Sequence, residues 1–225
     1  MNKTILTDAD GVLFHWNSTF NLFMHERGHP QVPDTEDNYS LAKRHDITWE
    51  VGRELVKEFN TSDYIRDLHP FADARRYVKK LHEEHGFDFI VITSLSDDPK
   101  AYDNRAHNLR KHFGDAIKEL HCLPIGLHKG EILERWKGTG LFWIEDHVDN
   151  AAAGADLGLR SIVIDHPYNA RYNQHDKKLV ARVNYAKPWH AIYKIITAAY
   201  EEKEDWRESD YEFWSGFAKE KIDQS

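Results

Sequence analysis

The sequence predicts an α/β fold: a mostly parallel, Rossmann-like sheet flanked by helices, with a small helical segment inserted after the first strand. Three observations predict it. Short apolar runs that stop at a polar residue recur along the chain, and segments with helical spacing and recognisable start and stop signals separate them. Residues 16–68 break that alternation with amphipathic segments of their own.

In chain order, Thr4 to Thr7 is the first strand. The insertion follows, with Phe20, Phe23 and Met24 on one amphipathic segment and Trp49, Leu55, Val56 and Phe59 on another, on either side of a polar loop around Pro33 to Asn38. His69-Pro70 opens a helix that carries Phe71, Tyr77, Val78 and Leu81 and ends at His85-Gly86, with Pro at its start and Gly just past its end. Phe87 to Thr93 is the second strand. Asp98-Pro99 opens the next helix and Phe113-Gly114 closes it. His121 to Ile125 is a weaker strand candidate, and Lys129 to Trp136 is a helix. Gly140 to Ile144 is a strand, Asp149 to Leu157 an Ala-rich helix stopped by Gly158, and Arg160 to Ile164 a further strand. Pro188 begins a helix that runs through Tyr200. The tail from Glu201 to Ser225 mixes acids with Trp206, Tyr211, Phe213, Trp214 and Phe217, and its aromatics favour docking over a mobile extension. The expected division is a core of 1–15 and 69–200, a helical insertion of 16–68, and an acidic aromatic extension of 201–225.

With 225 residues, 40% of them hydrophobic and 12% aromatic, the chain can bury a sizeable core. Thirty basic against 38 acidic residues give a net charge of −8, which opposes unassisted binding to duplex nucleic acid or an anionic membrane. A small anionic ligand would therefore need a local positive site, and a divalent cation could supply it. The single Cys122 excludes an intramolecular disulfide, a zinc ribbon and a CxxC redox pair. The first residues lack the apolar core of a signal peptide, and no run is long and apolar enough to span a membrane, so a soluble cytoplasmic protein is expected. His25 with His29, and His82 with His85, have helical spacing, but neither pair brings a third metal ligand and a surface role is the simpler reading.

Asp8-Ala9-Asp10-Gly11-Val12 follows directly on the first strand. Loops at the carboxyl ends of parallel strands line the ligand crevice of an open α/β sheet. Two carboxylates two residues apart in extended chain share a face and repel unless a cation or a shared proton compensates. By itself such a loop would equally fit a solvated turn or a Ca²⁺-type loop. Other strand ends add to it. Thr93-Ser94 supplies hydroxyls and successive backbone N–H groups, Lys129 stands at a helix start, and Glu145-Asp146 is followed closely by Asp149 and Asn150.

In order and position these motifs resemble the haloacid dehalogenase superfamily over about Thr4 to Asp165, with the helical insertion where that family places a cap. The fourth motif departs slightly, reading Glu-Asp-His-Val-Asp-Asn, so the roles of Glu145, Asp146, Asp149 and Asn150 stay undivided at this point. The resemblance implies a phosphomonoester hydrolase with Asp8 as nucleophile, Asp10 as general acid/base and an aspartyl-phosphate intermediate. It implies Mg²⁺ bound by Asp8, the backbone carbonyl of Asp10 and Asp146, with Thr93 and Lys129 on the phosphoryl oxygens.

The substrate expectation is a small phosphorylated molecule, with no stable nucleic-acid complex. Asp165-His166-Pro167-Tyr168-Asn169, followed by Arg171 and Arg182-Val183, resembles the corresponding segment of the 5′(3′)-deoxyribonucleotidase-like branch, as do Thr93-Ser94 and Asp10-Gly11-Val12. That points to a nucleoside monophosphate, with Ser94 beside the phosphate and Phe14 and Trp16 offering an aromatic face for base or sugar, although core packing is the simpler role for either aromatic taken singly. A Pro-centred turn whose Tyr packs on the sheet is the plainer reading of the same segment. The alternatives are a phosphatase for a sugar phosphate or another metabolite, and a non-catalytic binding or regulatory protein that keeps the fold.

Overall fold

The computed structural model describes residues 3–201. Six strands, β1 (Thr4–Thr7), β2 (Asp88–Ser94), β3 (Ile117–Leu123), β4 (Phe142–Glu145), β5 (Arg160–Asp165) and β6 (Ala181–Asn184), form one sheet in the order β3-β2-β1-β4-β5-β6. Every pairing is parallel. The order reverses between β1 and β4, and the crevice outside the carboxyl ends at such a reversal is where open α/β sheets bind ligands. Asp8 and Asp146 each stand one residue beyond those two strand ends.

Nine α-helices are present among the described residues: α1 (Trp16–Glu26), α2 (Leu41–Arg44), α3 (Trp49–Asn60), α4 (Asp63–Arg66), α5 (Ala72–His85), α6 (Pro99–Phe113), α7 (Gly130–Leu133), α8 (Val148–Asp156) and α9 (Pro188–Glu201). Two of their boundaries follow directly from the predicted signals, whereas the helix expected from His69-Pro70 begins at Ala72 and the one expected over Lys129 to Trp136 is α-helical only to Leu133. The backbone of Gly86 takes a left-handed φ of 72° at the end of α5, and its N–H closes on His82 and Leu81 carbonyls. Asp98 caps α6 by accepting from the Lys100 N–H, with Pro99 in the first turn. The strand candidate at His121 to Ile125 overlaps β3 only at His121 to Leu123, since β3 runs from Ile117 to Leu123.

The sixth strand was not expected. Ala181–Asn184 has only four residues and places Arg182 among them, so no apolar run marks it. Arg182 is satisfied instead by Asp165, whose Oδ1 accepts from Nε at 2.7 Å, and by Asp176.

Residues 16–68 are helical, as α1 to α4, and leave and rejoin the sheet at neighbouring points. The His15 N–H donates to the His69 carbonyl at 3.0 Å and the Phe71 N–H to the Leu13 carbonyl at 2.9 Å. Trp16 stacks on Phe20, Phe59 meets both edge-on, and Phe20, Phe23, Met24, Phe59, Ile65 and Leu68 are continuous with the apolar core under the sheet. Amide side chains bind the insertion to the core. Asn60 donates to the Leu95 carbonyl, Asn104 to that of Ser62, and Asn108 to that of Leu68. Trp49 departs from the expected amphipathic face: it is exposed, with the Arg53 guanidinium over its ring.

Among the described residues no helix is long and apolar enough to cross a membrane. Apart from Glu201, which ends α9, the aromatic tail lies outside the described residues.

Candidate active site

The Asp8 N–H donates to the Ile144 carbonyl at 2.9 Å, which carries the β1–β4 ladder one residue past the strand and fixes the carboxylate over the sheet edge. One Asp8 oxygen accepts from the Ala9 N–H at 2.6 Å and the other faces the Lys129 ammonium at 2.7 Å. Lys129 is buried at the start of α7 and also donates to Glu145 Oε1 at 2.8 Å. Burial works against its charge, but Asp8 and Glu145 outweigh that and hold its pKa above the ordinary lysine value.

The neighbours of Glu145 divide the fourth motif. Its Oε2 accepts from the Asp146 and His147 N–H groups at 2.5 and 2.6 Å, and its Oε1 accepts from Asn150 as well as Lys129. Burial alone would raise its pKa, yet Lys129 and the His147 N–H bring it below the usual value. Glu145 is thus a charged anchor for Lys129 and the first turn of α8. Asp146 faces the cavity. Asp149 is turned to solvent, 3.3 Å from His175.

Asp146 is held from the segment after β5. The Tyr168 hydroxyl donates to its Oδ2, and the Asn169 side-chain amide donates to its carbonyl at 2.6 Å and to that of Ile164 at 2.9 Å. His166 reaches the first motif, 2.7 Å from the Gly11 carbonyl. Burial pushes its pKa down to about 4, so the neutral ring donates its Nε2–H. The Asp165 to Asn169 segment therefore builds the acidic site itself. Gly11 must be glycine. Its φ is +74°, and a Cβ there would overlap Asp146 Oδ2 and come within 2.8 Å of the Tyr168 hydroxyl.

Asp10 points the other way, to Arg105 on α6. One guanidinium nitrogen donates to both of its oxygens, at 2.6 and 2.7 Å. Burial raises the Asp10 pKa, with Arg105 opposing.

A cavity of about 400 Å³ is lined by Asp8, Asp10, Thr93, Ser94, Lys129 and Asp146 on the sheet side and by Trp16, Tyr39 and Arg44 of the insertion. The structure thus brings together all the expected site residues but one. Phe14 is fully buried, edge-on to Phe113 and beneath the Arg105 guanidinium, a core position away from the cavity wall. Thr93 is buried at the cavity, and its hydroxyl has no hydrogen-bond partner. Arg105, Tyr39 and Arg44 carry no local sequence signal, being common residue types in polar stretches.

Four buried or half-buried carboxylates, Asp8, Asp10, Glu145 and Asp146, cluster with the two cations that pair with them, Lys129 and Arg105, while Arg44 lines the insertion wall of the cavity without contacting them. The difference is two negative charges. Burial, with Glu145 and Asp8 adding to it, raises Asp146 well above the usual range, and burial raises Asp8 to about 7. One divalent cation would cancel that excess. Oxygens of Asp8, Glu145 and Asp146 lie within 4.8 Å of one another, the one such group among the described residues, and Asp8 and Asp146 are the two with capacity to spare. The histidine pairs are used elsewhere: His82 Nδ1 is 2.8 Å from the Phe87 carbonyl and His85 Nε2 is 2.9 Å from the Tyr193 hydroxyl.

A six-stranded parallel sheet with an acid pair after β1 and a helical insertion behind it is the fold of the haloacid dehalogenase-like hydrolases. A predicted phosphatase from Clostridium acetobutylicum superposes with a TM-score of 0.63 at 12% identity, over 88% of this chain and 99% of that one. A haloacid dehalogenase-like hydrolase from Streptococcus pneumoniae gives 0.59 at 14% identity, over 86% and 98%. A hydrolase of the same family from Deinococcus radiodurans R1, with phosphate and sodium bound, gives 0.56 at 16% identity, over 86% and 96%. At these identities the likeness is one of fold. No family model matches the sequence. The chain is 32% identical over 162 residues to an uncharacterized 32.4 kDa protein of the Gp30-rIII intergenic region of Enterobacteria phage T4. That match covers 68% of this chain and spans 58% of the phage protein's length.

Proposed function

We propose that the protein is a Mg²⁺-dependent phosphomonoester hydrolase that works through an aspartyl-phosphate on Asp8. The observation that carries the reading is the Asp8 carboxylate held 2.7 Å from Lys129 on the floor of a cavity shared with Asp10, Thr93 and Asp146. Asp8 attacks phosphorus, dividing one displacement into two easier ones. Asp10 gives a proton to the leaving alkoxide and then takes one from the attacking water. Two donors of Lys129 are used by Asp8 and Glu145, leaving the third, with the Thr93 hydroxyl, for phosphoryl oxygens. Mg²⁺ at Asp8, the Asp10 carbonyl and Asp146 would supply the charge that lets an anionic nucleophile approach an anionic phosphoryl group.

In this reading residues 16–68 are a cap over a core of 1–15 and 69–200, and the protein works in the cytoplasm, in keeping with its net charge of −8 and lone Cys122. Nucleoside monophosphates are the proposed substrate class, supported by Trp16 on the cavity wall. A second reading, a phosphorylated sugar or other small metabolite, is favoured by the use of Tyr168 and Asn169 to hold Asp146, which leaves the post-β5 segment no part in reading a base. Aryl phosphate hydrolysis with and without Mg²⁺ tests the class of activity, and kcat/KM across nucleoside monophosphates and sugar phosphates tests the substrate. No Mg²⁺-dependent turnover would leave a non-catalytic binder. Equal values across the panel would end the nucleotide reading.

A further inference from the structure

Three Lys or Arg side chains are buried among the described residues: Lys129, Arg105 and Arg44. The first two face carboxylates. Arg44, 4% exposed at the end of α2, does not. Its Nη1 donates to Asn17 Oδ1 at 2.9 Å, and its Nη2 to Asn21 Oδ1 and Gln31 Oε1, both at 3.1 Å. Its buried Nε has no partner, and no carboxylate lies within 4 Å of the guanidinium among the described residues.

Removing a guanidinium from water is costly unless an anion compensates it, and neutral amide oxygens compensate it only in part. Those amides come from α1 and the loop after it, and they orient the guanidinium. Arg44 lines the same cavity as Asp8, on the wall contributed by the insertion. The cavity therefore has a negative floor suited to a cation-bound phosphoryl group and, on a different wall, a positive charge with no carboxylate in contact, Glu36 acting on it only from beyond 4 Å.

We propose that Arg44 is a second anion site and that the substrate is a phosphomonoester bearing a further anionic group, a carboxylate or a second phosphate. The proposal rests on the phosphomonoester reading for the first anion and, of the two substrate readings, takes the phosphorylated metabolite over the nucleoside monophosphate, whose base and sugar are neutral. Arg44 selects substrate by pairing its charge, through the Nη1 donor left free, with the distal group while the phosphoryl group sits at Asp8. A phosphomonoester with a neutral distal group leaves the buried Arg44 guanidinium unpaired and binds more weakly.

The test uses phosphonates, which the enzyme cannot hydrolyse, titrated by calorimetry into the full chain at saturating Mg²⁺. Alkylphosphonates of two to five carbons are compared with the ω-carboxyalkyl- and α,ω-bisphosphonates of matching length. At one chain length or more, the second anion should tighten binding by about ten- to a hundred-fold, as expected for one charge-assisted contact to a buried guanidinium. Arg44→Gln should remove that preference. Arg44→Lys, which keeps the charge without the planar guanidinium, should retain part of it and covers the case in which the Gln variant does not fold. No preference at any length in the wild type, or a preference that survives in Arg44→Gln, overturns the proposal. Because nothing is turned over, the two readings fail separately. Aryl phosphate hydrolysis without the preference ends this inference alone, and the preference without hydrolysis ends the hydrolase reading alone.

Discussion

Arg105 and Asp10 form an ion pair between α6 and the first-motif loop, with a fully buried guanidinium holding both oxygens of a carboxylate that keeps about a fifth of its side chain exposed to the cavity. The remaining two nitrogens of Arg105 have no partner, and its plane lies over the Phe14 ring. The aim of Asp10 is therefore set by one contact that crosses 95 residues of sequence.

That contact gives the first prediction. Arg105→Leu leaves Asp10 without its partner, and kcat for aryl phosphate should fall at least about tenfold, part of what a positioned acid/base contributes. KM should change little, since Arg105 does not line the cavity. Steady-state kinetics at saturating Mg²⁺ check this, and an unchanged kcat would remove Arg105 from the mechanism.

Metal dependence should follow the Asp146 contacts. Excess chelator should stop hydrolysis and Mg²⁺ should restore it, with Asp146→Ala losing activity or needing far more metal. Tyr168→Phe removes the hydroxyl that orients Asp146 Oδ2 and should raise the Mg²⁺ concentration for half-maximal rate about 10–100-fold. Full activity in chelator would contradict the metal assignment.

How much of this was legible in the sequence depended on how local each signal was. Asp8, Asp10, Thr93, Lys129 and Asp146 all stand within a few residues of a readable strand end or helix start, and the structure gathers them around one cavity. Arg105 sits mid-helix among Lys, Arg and His residues that a sequence assigns to solvent, and its partner is fixed only by how α6 packs. Arg44 was hidden in the same way. The Asp165 to Asn169 segment reads in the sequence either as a substrate-facing stretch or as a Pro-centred turn, because its contacts, His166 to Gly11 and Tyr168 to Asp146, join loops that only the strand order brings together. Phe14 follows the first motif closely, yet the tight turn closed by the Phe14 N–H on the Ala9 carbonyl sends its ring into the core.

His166 gives a pH-dependent prediction. Its folded pKa is about 4 against an ordinary 6.5, so the unfolded chain binds its proton first as pH falls. The stability this neutral ring contributes is fully present above about 6.5 and is lost as pH drops towards 4, by about 3 kcal/mol in total. Urea unfolding at pH 7.5 and pH 5 should show the wild type losing about 2 kcal/mol more than His166→Gln. Parallel losses in the two proteins would mean that His166 is not held neutral.

The central claim is the covalent step on Asp8, and the most direct measurement is to trap it. Enzyme turning over a ³²P-labelled phosphomonoester with Mg²⁺ is quenched in acid, and the labelled peptide is mapped. The account predicts acid-stable label that hydroxylamine releases, as an acyl phosphate requires, on the peptide containing Asp8 and absent from Asp8→Asn. Label on another residue, or full turnover by Asp8→Asn, would contradict it.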